Sequence, residues 1–184
     1  MDIFFGRRYA EEPFPIFSAM HLTILLIVIS VNVIMAFVFK KTSGKKISAF
    51  FRFGLAFFLI ALYIMFSAWS VYVGDWSIDY ALPFHICDAA ILLTAAMLLT
   101  RNRLVFETAY FWVLGGCTQA LLTPDVGFDF PHFMFFYFFV GHGIVVTAVL
   151  YMIFSERFRP YWSSILRVFI LTNIYMGFVA VINV

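Results

Sequence analysis

Six runs of mostly apolar residues, separated by short polar connections, set the pattern of this chain: 15–39, 53–73, 81–100, 104–122, 131–154 and 162–184. Each is close to the roughly 20 residues that a helix needs to cross a bilayer. The pattern predicts an all-α, polytopic transmembrane helix bundle of six spans, forming one domain over 1–184. Short connections predict that consecutive helices pack as antiparallel neighbours. No internal repeat and no second domain stand out. The last run reaches Val184 without a polar flank, which leads us to expect a piece of a longer protein.

The charged residues divide by connection. Lys40, Lys41, Lys45, Lys46 and Arg52 follow the first run, Arg101 and Arg103 the third, and Arg157 and Arg159 the fifth, with Arg167 just inside the sixth. Ten of the 12 basic residues therefore fall on one side, and only Arg7 and Arg8 on the other. Such a bias marks the cytoplasmic side, so the N-terminus is expected to face outward from the cytoplasmic (inner) membrane. The outer connections carry Asp75, Asp79, Asp125 and Asp129 instead. Trp76, Tyr80 and Phe128 suit the headgroup level, where aromatic rings settle.

With depth assigned in this way, the polar residues inside the runs concentrate in the outer half. His21, His85, Asp88, Gln119, Thr123, His132 and His142 all fall there, while Asn32 and Asn173 lie nearer the middle. His85 and Asp88 are three apart and share a helix face, as do Gln119 and Thr123, four apart. His21 and Asn32, eleven apart, line one stripe. An ionisable group within a span costs about 2.5–3.5 kcal/mol on insertion scales, so these residues are expected to turn inward. They predict an outward-facing polar pocket built by the first, third, fourth and fifth spans. The bland alternatives are a packed His85–Asp88 pair, an interfacial His132, and Gln119, Asn32 and Asn173 as interhelical glue. Asp125 and Asp129 also fit turn or cap positions.

Composition narrows the classes. The chain is 64% hydrophobic and 12% charged, half the charge of a soluble domain. The net charge of +2 points to no partner, and no basic run or aromatic–basic interleaving suggests nucleic acid. No glycine-rich phosphate loop is present, and the mixed-charge head "MDIFFGRRYAEEPF" is not expected to be a cleavable signal peptide. Cys87 and Cys117 both lie inside apolar runs without metal or redox spacing, and are expected to pack as small hydrophobes. Cys87, two residues from His85, is expected to point to nearly the opposite side. Gly115 and Gly116 are expected to let helices approach closely.

A histidine oriented by a carboxylate is the usual form of a general base. His85 with Asp88, or His142 with Asp88, could supply one, with His21, Gln119, Thr123, Asp125 and Asn173 as substrate-binding residues. Cys117, Thr123, Ser70 or a water are the candidate nucleophiles. Acyl transfer or hydrolysis on membrane lipids at the outer leaflet fits such a pocket. Binding or transport of a lipid or small solute, without catalysis, is the alternative. Three histidines and an aspartate could ligate zinc, but no single helix carries a His-x-x-x-His pair, so every ligand would have to converge from a different span. No metal and no other cofactor is expected.

"LPFHICDAAILL", "GGCTQALLTPD", the histidine within "FMFFYFFVGHGIVV", and "TNIYMGFVAVIN" resemble the YwaF-like bacterial integral membrane proteins from about Ala81 onward. That family is in turn similar to the eukaryotic transmembrane protein 164, an acyltransferase acting on phospholipids. The resemblance implies a catalytic cysteine before a histidine in a proline-cysteine-histidine motif. Here the matching residues are Pro83, Phe84 and His85, so phenylalanine stands at the nucleophile's position. It also implies that His142 matches a second catalytic histidine. Phenylalanine accepts no acyl group, so the covalent step does not carry over.

Overall fold

The computed structural model describes residues 3–6, 14–76 and 86–182. Among them the chain is helical, without strands. The helices are α1 (Ala19–Thr42), α2 (Lys46–Val73), α3 (Ile86–Thr100), α4 (Arg103–Phe111), α5 (Thr118–Leu122), α6 (Phe133–Phe154) and α7 (Trp162–Ile182). A π-helical turn, Trp112–Cys117, joins α4 to α5 without leaving the right-handed helical region. Four helices, α1, α2, α6 and α7, are long and apolar enough to cross a membrane; α3 is a shorter apolar helix.

The helix ends follow from local chemistry. Ser18 caps α1 by accepting the His21 backbone N–H at 3.3 Å, and Lys40 and Lys41 occupy the last turn, where cations suit the exposed carbonyls. Gly74 ends α2 in the left-handed region at φ +76°, donating to the Ser70 and Val71 carbonyls, a conformation that costs a glycine little. Asn102 caps α4 by accepting from the Leu104 and Val105 N–H groups. The apolar run expected over 53–73 begins earlier, at Lys46. Lysine and arginine are good helix formers, and apolarity alone misses a turn that projects beyond the hydrocarbon.

α6 is the central element. Two-thirds (67%) of its most apolar window is buried, against 17%, 22% and 17% for α1, α2 and α7. Its buried face, including Val145, Ala148, Val149 and Met152, shares one core with Ala56 and Leu59 of α2, Ala95 and Leu98 of α3, and Phe106 and Val113 of the α4 segment. Gly141 lets the neighbours close in: a Cβ there would stand 3.4 Å from Leu62 Cδ2 and 3.6 Å from Ile91 Cδ1. The outward faces are equally apolar, with Phe37, Phe57, Ile64, Leu166 and Phe178 all exposed. A water-soluble monomer does not carry apolar surface on that scale; this is a membrane protein.

The two ends of the bundle differ. At one, the connections carrying the lysines and arginines meet: Ser43 Oγ donates to the Ser155 carbonyl, Arg52 to that of Leu98, and Arg103 to that of Arg159. Tyr151, fully buried, donates to Glu156 and meets the Ser48 hydroxyl, while Glu156 pairs with Arg101 at 3.3 Å. At the other end, residues 3–6 lie across α2 and α6. The Phe4 carbonyl accepts from the Phe133 N–H, and that of Phe5 from the Trp69 indole.

Gly115 and Gly116 do not serve close packing as expected. Both are exposed, and a Cβ at either meets nothing within 4 Å. They sit in the π-helical turn, whose extra residue widens the helix. Gly115→Ala is therefore expected to raise the unfolding free energy by about 0.4–1 kcal/mol through a stiffer unfolded chain, read as a higher melting temperature in detergent. Gly141→Leu, forced against Leu62 and Ile91, is expected to lower it by about 1–3 kcal/mol.

Candidate functional site

His142 lies on α6 and is only 7% exposed. Its Nδ1 is 2.7 Å from the Phe138 carbonyl one turn back, and its ring packs on that of Phe138, centroids 4.3 Å apart. A carbonyl only accepts, so Nδ1 carries the proton and donates. Nε2, the other ring nitrogen, is buried without a hydrogen-bond partner among the described residues. A backbone carbonyl that fixes one ring nitrogen leaves the other ready to take a proton.

Asp88, half-buried in the first turn of α3, accepts a 2.8 Å hydrogen bond from the Tyr137 hydroxyl of α6. Tyr63 of α2 and Tyr175 of α7 stand near enough to feel its charge. Tyr137 and His142 are five residues apart, about 140° round the helix, so they leave α6 on different sides. The expectation that Asp88 orients His142 is corrected here, because the ring's orienting partner is the Phe138 carbonyl. His85 lies outside the described residues.

The remaining candidates separate. His21 is fully buried; its Nδ1 accepts from the Phe17 N–H at 2.9 Å, and its Nε2 donates to the Leu121 carbonyl at 2.8 Å. Both nitrogens are used, and the ring ties α1 to the end of α5. Gln119 and Thr123 bond to each other at 3.0 Å on an exposed face of α5, and Asp125 is exposed beyond it. Asn173 is exposed on α7, its amide donating to Phe169 of the same helix. His132 caps α6, its Nδ1 accepting from the Met134 N–H, its Nε2 meeting the Gly6 carbonyl at 2.8 Å, and its ring stacked on Phe128.

The candidate nucleophiles are tied up as well. Ser70 Oγ donates to Ser67, and Thr123 Oγ1 to Gln119. Cys117, 1% exposed, has its thiol facing Cys87 across the gap between the π-helical turn and α3, with Asp88 beside them. Cys87 therefore looks into the bundle on the side of Asp88.

Two clefts among the described residues are apolar. One of about 700 Å³ runs between α1 and α6, from Ala19 and Phe130 down to Asn32 and Thr147. A second, about 380 Å³, lies between α1, α5 and α6, and Val28 and Asn32 line both. Thr147 Oγ1 donates to Asn32 Oδ1 at 3.0 Å, crossing from α6 to α1 at their floor. The polar pocket expected from the sequence is not what these clefts are, since Asp88, Gln119 and His142 line neither. Among the described residues no three His, Cys, Asp or Glu side chains converge on a metal-sized centre.

Sequence reading missed Tyr137, Thr147 and Glu107. Tyr137 is the one hydroxyl in the run "FMFFYFF", eight residues past the last acid of its loop. Glu107 and Arg167 are opposite charges one turn or so inside two helices that enter from the same end. Matching depth and opposite sign could have paired them.

A bundle of apolar helices around one histidine-bearing central helix defines a class, a polytopic membrane protein with, among the described residues, one bare imidazole nitrogen inside it. The particular family is shown by sequence: the model of the TMEM164 family matches residues 16–184, and the chain belongs to it. An uncharacterized protein of Treponema pallidum (strain Nichols) is 26% identical over 146 aligned residues, covering 78% of this chain and 59% of that protein. The chain thus spans under two-thirds of that relative's length. No solved structure matches.

His21→Ala leaves the Phe17 N–H and the Leu121 carbonyl without their partner. It is expected to destabilise the protein by about 1–3 kcal/mol, seen as a lower melting temperature in detergent. Gln119→Ala, on an exposed face, is expected to stay within about 0.5 kcal/mol of wild type.

Proposed function

We propose that this protein is a lipid-directed enzyme of the cytoplasmic membrane, transferring or hydrolysing acyl groups. In this reading the chain has six spans with the N-terminus outside, and the 103–122 helix and α3 complete the set. The observation that carries the proposal is the bare Nε2 of buried His142, held as an acceptor by its Nδ1 bond to Phe138. Membership of the TMEM164 family and the resemblance to lipid acyltransferases support the same reading. The apolar clefts beside α6 provide surface suited to acyl chains.

Phe84 stands where the covalent nucleophile is expected, so the step is written without an acyl-enzyme. His142 Nε2 takes the proton of an attacking hydroxyl, from a lysophospholipid or from water. The hydroxyl oxygen bonds to the ester carbonyl carbon. The tetrahedral adduct then expels the original alcohol, which takes the proton back from Nε2. A hydroxyl acceptor gives acyl transfer; water gives hydrolysis. Membrane lipids are its substrates in this scheme.

The test supplies purified protein with phospholipid and lysophospholipid carrying distinguishable acyl chains, and follows the products by mass spectrometry. Wild type is expected to exchange or release acyl groups, and His142→Gln to lose about 10²–10⁴-fold in rate, the usual contribution of a general base, while melting at an unchanged temperature. Equal rates in the two proteins would remove His142 from the chemistry. Absence of turnover in wild type, with lipid still retained, would assign the protein to lipid binding or transport, the reading that Phe84 favours.

A further inference from the structure

At the basic end, α4 and α7 are joined by a buried carboxylate. Glu107 is 1% exposed, and two arginines converge on it. Arg167 donates from Nε and Nη2 at 2.8–3.0 Å, and Arg103 Nε stands 3.3 Å from Oε1. Both guanidiniums therefore lie within 3.3 Å of one carboxylate oxygen. Arg103 is held further by the Arg159 carbonyl at 2.9 Å and by the Tyr161 ring, 3.9 Å beneath its central carbon. These contacts fix two charged planes in place while each side chain stays 45% exposed.

The donors are not exhausted. A guanidinium carries five N–H groups, and the Nη1 of Arg103 and of Arg167 has no hydrogen bond among the described residues. Arg101, Arg157 and Arg159 add charge nearby, with Glu156 the second acid. Five arginines against two glutamates leave three positive charges in excess, and Glu107 is sealed beneath its partners. The exposed neighbours identify the surroundings. Trp162 is 90% exposed and Tyr161 57%, which suits the headgroup level. Beyond them on α7, Leu166 and Phe169 are 64% and 65% exposed, a surface for hydrocarbon.

We infer that Arg103 and Arg167 form a binding site for the phosphate of an anionic phospholipid, its headgroup between α4 and α7 and its acyl chains along α7. With the other nitrogens committed to Glu107 and the Arg159 carbonyl, the Nη1 of each arginine remains to donate to phosphate oxygens, two positioned donors where a lone lysine offers one mobile charge. The site is separate from the proposed chemistry at His142 and stands without it.

Native mass spectrometry on detergent-solubilised protein tests it, with phosphatidylglycerol and phosphatidylcholine of identical acyl chains titrated in turn. Phosphatidylglycerol is expected to be retained in preference. Arg103→Gln is expected to lower its apparent affinity about tenfold or more, the worth of one charge-assisted hydrogen bond. Lys45→Gln removes the same charge from the same end and is expected to change it little. An equal loss in both variants would replace the site by a diffuse field and overturn the inference, as would no loss in Arg103→Gln. Displacement of the lipid by millimolar inorganic phosphate would overturn it too, by identifying a free-anion site. If Arg103→Gln melts early, Arg103→Lys is read instead. It keeps the charge without the planar fork, so lower retention supports the site and unchanged retention sinks it.

Discussion

The burial of α6 is the constraint on which the rest of the bundle depends. In a bilayer the hydrophobic effect does not press helices together, because lipid tails are as apolar as leucine. Association has to come from close packing and from hydrogen bonds that lipid cannot offer. α6 provides both. Its small residues Gly141 and Ala148 face neighbours directly, and three of its polar side chains each reach a different helix. Tyr137 reaches α3, Thr147 reaches α1, and Tyr151 reaches the start of α2. Such bonds average about 0.6 kcal/mol across membrane helices, so none alone holds the bundle. Their spread along one helix is what sets its register.

α1 illustrates the consequence of a weaker share. It meets the bundle at three heights, through His21 and Leu121, Asn32 and Thr147, and Phe39 with Tyr151. Between these attachments lie the two clefts. α7 is held more narrowly, by the Glu107–Arg167 pair and by the Trp112 indole donating to Thr172 at 2.8 Å. Polar satisfaction is nearly complete along these helices; Thr23, Thr42, Ser67, Thr108 and Thr118 all donate to a carbonyl one turn back. Against that background Nε2 of His142 and Oγ1 of Thr94 stand out, both buried without a hydrogen-bond partner among the described residues, because a buried polar atom without a partner is costly.

The helices were legible in the sequence because a long apolar run has one solution in lipid, where every backbone group must bond within its own segment. The grouping of the basic residues at one end was legible for the same reason, since short connections leave little choice of position. The inward turn of His21 and Asn32 was legible from their spacing, and both are buried. What each of them bonds to was not. Leu121 and Phe138 act through backbone carbonyls, which carry no mark in the sequence. The partner of Asp88 is a tyrosine hidden among phenylalanines. The π-helical turn was also out of reach, because an extra residue in a helix leaves the apolar count unchanged. The two clefts described beside α1 are apolar, and which polar residues face one another was not legible from their positions along the chain. The structure spends many of them on their own backbone or on the exposed face.

The π-helical turn fixes the rotational phase of everything after it. One additional residue turns the following helix by about 100° relative to an uninterrupted α-helix. α5 is only five residues long, yet it carries the Leu121 carbonyl that holds His21. Straightening Trp112–Cys117 into α-helix would swing that carbonyl off α1 and bring another face of α5 to it. The anchorage of the N-terminal end of the first helix is therefore set by a winding number three helices away, and a single-residue deletion there would act on α1 as an uncoupling, with no residue of α1 changed.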